Sequence, residues 1–118
     1  MPYAVLQWPA TVYPGEVDAE CPEAKPAILV LLQRLRAAGP SPDGYAVKTL
    51  GSGLGGLWQI NLKIEKRQVR ILYAPYGEKI VLFRIHKKSS SQEQEQAYDM
   101  AQKRKREYEA KSRKAKPS

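Results

Sequence analysis

Strict alternation over residues 58–64 constrains this chain more than any other feature. Trp58, Ile60, Leu62 and Ile64 are apolar, and Gln59, Asn61 and Lys63 lie between them. Side chains on a strand point alternately to two faces, so a period of two marks a half-exposed strand. The segment "EKRQ" turns the chain. Two further strands are expected over residues 69–74 and 79–86, joined around Pro75 to Glu78. Three sequential strands with short turns predict an antiparallel meander. By parity, one face collects Trp58, Ile60, Leu62, Ile64, Val69, Ile71, Tyr73, Val81, Phe83 and Ile85, and should bury against helices. The outer face collects Gln59, Asn61, Lys63, Arg70, Arg84 and His86, supported by Leu72, Ile80 and Leu82. Lys87 and Lys88 extend that surface from the strand's end. A slip of one residue would exchange a strand's two faces.

The flanks read as helix and loop. Tyr3 to Ala10 is a short strand candidate stopped by Pro9, and residues 11–23 show no clear period. In "AKPAILVLLQRLRAAG", Ile28, Leu31, Leu32 and Leu35 fall at helical spacing, with Pro26 near the first turn and Gly39-Pro40 as a stop. A loop with a short extended piece around Val47 leads into the meander. "GSGLGG" lacks the Lys-Ser/Thr of a phosphate loop and reads as a flexible connection. Residues 92–110 lack Gly and Pro and favour a helix with a thin stripe of Ala97, Met100, Ala101 and Tyr108. The expected class is α+β: a twisted antiparallel sheet with N-terminal helix or helices and a C-terminal helix. We expect one domain over residues 1–110 and a basic flexible tail over 111–118.

The charge is uneven. The net charge is +8; residues 1–62 hold four Lys/Arg and five Asp/Glu, 63–91 hold eight against two, and 92–118 hold eight against five. A basic half beside a near-neutral half suits a polyanionic partner, and nucleic acid is the usual one. One Cys, Cys21, and one His, His86, leave no internal disulfide and no Cys/His cluster for zinc. No Ser has the setting of a serine hydrolase nucleophile. No apolar run approaches a membrane span and no signal peptide opens the chain, so a cytoplasmic protein is expected.

The stretch "GLWQINLKIEKRQVRILYAPYGEKIVLFRIHKK" resembles the core of RelE-type toxins, in their phage-derived, HigB-like branch. That branch has Gly-Leu-aromatic-Glu-Leu-Arg, an Arg-hydrophobic-hydrophobic-Tyr strand, and a strand ending in Phe-x-Lys-Lys. Here these read Gly56 to Asn61, Arg70-Ile71-Leu72-Tyr73, and Ile85-His86-Lys87-Lys88. The segments "VKTL" (Val47 to Leu50) and "AQKRKREY" (Ala101 to Tyr108) also resemble it, so the likeness covers about residues 45–108. It implies helices packed on one face of the sheet. It also implies a ribosome-dependent mRNA endonuclease, neutralised by an antitoxin of helix-turn-helix type. Two departures stand out: Gln59 and Asn61 replace the branch's Glu and Arg, and "SSSQE" replaces its Thr-Pro.

Metal-free RNA cleavage needs a base for the 2′-hydroxyl, cations for the charge developing on the phosphate, and an acid for the leaving oxygen. Arg70 suits phosphate because its fork grips two oxygens. Lys63, Lys87 and Lys88 suit charge stabilisation. His86 titrates near neutrality and is the candidate acid or base. Further RNA contacts are expected from Lys48, Asn61, Lys66, Arg67, Arg84, Lys103 and Arg104. No metal or cofactor is implied. The alternative is a non-catalytic, nucleic-acid-binding phage accessory protein on the same scaffold, favoured by Gln59 and Asn61. A basic protein-interaction domain is a third reading. Trp8 suits either a core or a partner contact.

Overall fold

The computed structural model describes residues 3–115, with side chains to residue 112. The order is β1 (Ala4–Gln7), a π-turn (Val12–Glu16), α1 (Val17–Glu20), a 3-10 turn (Pro22–Ala24) and α2 (Lys25–Ala38). β2 (Ala46–Thr49), a 3-10 turn (Ser52–Leu54), β3 (Trp58–Ile64), β4 (Arg67–Tyr76), β5 (Lys79–Lys87) and α3 (Ser91–Ala115) follow. The five strands form one sheet in the order β1-β5-β4-β3-β2. The meander β3-β4-β5 is antiparallel, β2 adds antiparallel to β3, and β1 lies parallel to β5. The chain is therefore α+β, with a mixed open sheet flanked by N-terminal helices and a C-terminal helix.

Pro75 lies inside β4 rather than in a turn. The β3 ladder ends at Trp58 opposite Tyr73, so β4 beyond that point has only β5 beside it. A proline is tolerated where a strand has a free edge. The hairpin closes instead through Gly77 and Glu78, with Gly77 at φ +62°, the positive φ a two-residue hairpin demands.

Helices cover both faces of the sheet, where the resemblance implied one. On one side Ile28, Leu31 and Leu35 of α2 pack with Ile60, Leu62, Val69, Ile71, Tyr73, Ile80, Leu82 and Ile85. On the other, Ala97 and Ala101 of α3 pack with Leu57, Leu72, Ala74, Val81 and Phe83. Parity is thus corrected in β5, where Val81 and Phe83 face α3, and Ile80 and Leu82 face α2. The cause is a bulge: Leu72 pairs Arg84 while Tyr73 pairs Leu82, leaving Phe83 as the extra residue. A bulge sets two residues against one and resets the alternation. Arg84 and His86 consequently stay on the same side as Phe83. α3 continues to Ala115, so residues 111–115 are helix and not tail, and residues 116–118 lie outside the described residues.

Candidate functional site

The α3 side of the meander carries three rows of polar side chains at its open end. Lys48, Gln59, Leu72 and Arg84 lie opposite one another across β2 to β5. Asn61, Arg70 and His86 form the next row. Lys63 pairs Gln68 in the third, and Lys88 joins it through an N–H donated to the Gln68 carbonyl at 2.8 Å. The strand neighbours of Arg70 are therefore Asn61 and His86.

The middle row is unusual in its hydrogen bonding. Asn61 Oδ1, Arg70 Nε and Nη1, and His86 Nε2 are buried and have no partner among the described residues. Each such group costs about 1–3 kcal/mol when left unpaired, and native proteins keep few of them. Among the described residues no carboxylate pairs with Arg70. Asn61 spends its amide on Gln68 Oε1, at 3.4 Å. His86 is 3 % exposed. Burial first, then the Arg84 charge, hold its pKa below the ordinary value, against a backbone hydrogen bond at Lys87. Both causes favour the neutral ring.

Two expected RNA contacts are engaged by carboxylates of the N-terminal turns. Arg84 pairs with Glu20 and, at 2.9 Å, with Glu16. Burial alone would lower its pKa, but the bonds and charges of those two carboxylates raise it. Arg104 pairs with Glu16 at 2.6 Å and donates to the Phe83 carbonyl at 2.7 Å. Glu16 also accepts the Ile85 N–H at 3.1 Å. The polar face thus has carboxylate partners after all, delivered by the segment 12–20 that showed no period. Together these bonds clamp the N-terminal turns, β5 and α3.

The other expected residues are dispersed. Lys63, Lys66, Lys88 and Lys103 are exposed, and Lys48 is exposed on the edge strand. Arg67 is exposed and pairs with Glu23. Lys87 is opposite Val69 and so leaves β5 on the α2 side. It does not share a face with His86, although it borders the cavities on either side of it. Tyr98 donates its hydroxyl to the buried Gln59 Oε1 at 2.8 Å and accepts from Gln94 Nε2 at 3.0 Å. Gln59, where the resembled branch has Glu, therefore anchors α3. Burial, then Glu20 and Glu23, push the Cys21 thiol up to about 11, so it is not a nucleophile at neutral pH. Among the described residues no group of three His, Cys, Asp or Glu could hold a metal ion.

The fold and site define a small α+β domain with a basic, polar strip at one end of an open sheet. Residues 17–106 match the phage-derived, Gp49-like protein family (DUF891), and the chain belongs to it. That family is related to the RelE/HigB toxin superfamily. No curated protein matches the chain, and no solved structure does. No helix among the described residues is long and apolar enough to cross a membrane.

Proposed function

We propose that the protein is the toxin of a type II toxin–antitoxin pair, a HigB-like endoribonuclease that cleaves mRNA on the ribosome, in the cytoplasm. The observation that carries this reading is Arg70. It sits mid-strand on the polar face, without a carboxylate, beside Asn61 and His86. Its charge is therefore free to answer a phosphate, although Nε and Nη1, buried like His86 Nε2, would meet one only once uncovered. In the reaction the 2′-oxygen attacks phosphorus, the bond from phosphorus to the 5′-oxygen breaks, and the 2′-hydroxyl proton leaves to a base while the departing oxygen gains one. Arg70 would stabilise the charge on the non-bridging oxygens, with Lys63 and Lys88 one row away. A neutral His86 has the protonation state of a base. Its Nε2 is closed to solvent, so it could act only once uncovered. The partner would be a helix-turn-helix antitoxin.

The burial of His86 also favours a second reading, a non-catalytic RNA-binding accessory protein on the same scaffold. Both readings meet one experiment. Induction of the chain alone should arrest bacterial growth and cut mRNA on translating ribosomes, and co-expression of the antitoxin should restore growth. Arg70→Ala, confirmed soluble and folded, should do neither. Unimpaired growth with soluble wild-type protein would sink the toxin reading. Arrest without mRNA cleavage would favour the second.

A further inference from the structure

We propose that the cavity between α1, β5 and the first turns of α3 receives one unstacked nucleobase, and that it prefers amino-bearing bases to uracil. The proposal rests on the reading of the protein as one that acts on RNA.

Two cavities meet at Lys87. One, of about 350 Å³, is bounded by Lys66, Arg67, Lys87 and Lys88 with Gln68 and Ser89, and no carboxylate lines it. Its chemistry suits a phosphate. The other, of about 270 Å³, lies on the far side of Lys87 and differs in kind. Besides Lys87 it is lined by the carboxylates of Glu20 and Glu93, the His86 ring, the amide of Gln96, and the apolar Ala97 and Met100. The cationic group of Arg84, which also borders it, is already engaged by Glu16 and Glu20. Two carboxylates against Arg84 and Lys87 leave this lining without the positive excess that a phosphate seeks. The volume falls below that of pockets for drug-sized ligands, and suits one flat ring system. Met100 is 42 % exposed at the rim, an apolar side chain with nothing apolar to cover unless a ring lies against it.

Single-stranded RNA is read by bases turned out of the stack and hydrogen-bonded along their edges. A carboxylate accepts from an exocyclic amine, as Glu or Asp does from cytosine N4. Glu93 holds the Ser89 hydroxyl through Oε2, which leaves Oε1 for such a contact. Adenine and cytosine present an amine on that edge. Uracil presents a carbonyl in its place, which a carboxylate repels. Gln96 can both donate and accept. A nucleotide with its phosphate among the lysines and its base beside Glu93 and Gln96 would straddle Lys87.

The test is fluorescence anisotropy of the full chain with labelled 2′-O-methyl decamers of A, C and U at one fixed salt concentration. These have no free 2′-hydroxyl, so binding is read without cleavage. Adenine and cytosine decamers should bind about tenfold more tightly than uridine, the size of one good base contact. Glu93→Gln with Gln96→Ala should bring all three to the uridine level. Both side chains are exposed, and an unchanged melting temperature confirms that the fold survives. Lys66→Ala with Lys88→Ala should weaken all three alike and leave the preference. Equal binding of the three decamers by the wild type overturns the base pocket and leaves the RNA reading standing, as does a preference that survives the Glu93/Gln96 change. No binding to any decamer overturns both.

Discussion

Two arginines one strand apart have opposite fates, and the difference lies in their neighbours. Arg84 is held by Glu16 and Glu20, whereas Arg70 has buried nitrogens and no acceptor. Removing one partner of a buried pair strands the other charge. Arg84→Ala should therefore lower stability by about 3 kcal/mol, the low end for buried pairs because these side chains keep some exposure. Arg70→Ala should leave the urea midpoint unchanged or slightly higher. Equilibrium unfolding of both variants checks the contrast, and equal destabilisation would make Arg70 structural. His86 adds a pH signature. Its native pKa is depressed, so below about pH 6.5 the unfolded chain takes up a proton that the native chain refuses. Stability should be full above that pH and fall as the pH drops towards the native value. In His86→Gln the slope between pH 7 and pH 5 should be shallower. Arg70 was legible in the sequence because parity needs only its own strand. The engagement of Arg84 and Arg104 was not, since Glu16 comes from a segment whose turns follow no single period.

At the scale of elements, α2 and the meander announced themselves through periods of 3.6 and 2. β5 did so only in part. Its apolar run from Ile80 to Phe83 satisfies either phase, and the bulge that assigns Phe83 to α3 has no mark in composition. The covering of the second face by α3 was equally hidden, because Ala97 and Ala101 are small and the contact is made by close approach rather than by a broad apolar stripe. Polar anchoring adds to it. Tyr98→Phe removes the hydroxyl that satisfies the buried Gln59, and an orphaned amide oxygen costs about 1–3 kcal/mol. The expected outcome is a loss of that size in urea unfolding and faster amide exchange in α3 than in α2. A variant as stable as wild type would mean that α3 is held by packing alone.

Over the whole molecule, the net charge of +8 overstates what a polyanion meets. Arg84, Arg104 and Lys105 are paired internally. Of the four cations around the larger cavity at the end of β4 and β5, Arg67 pairs with Glu23, which leaves Lys66, Lys87 and Lys88 grouped. If each of these three meets one phosphate of a single strand, log affinity should fall with log salt with a slope of about −2, and Lys66→Ala with Lys88→Ala should make it shallower by about 1.4. A salt titration of oligonucleotide binding reads both values, and a flat response would point to a protein partner instead.

The parallel pairing of β1 with β5 joins residue 4 to residue 79, and the Glu16 clamp reaches on to Arg104. Contacts between distant segments form only after the intervening chain is in place, so on a nascent chain β1 waits for β5 and the N-terminal turns wait for α3. Until then β1 has no sheet to join and Glu16 has neither of its arginines. The polar strip is therefore complete only once β5 and α3 have been made, which separates the synthesis of the N-terminal half in time from anything the finished fold does.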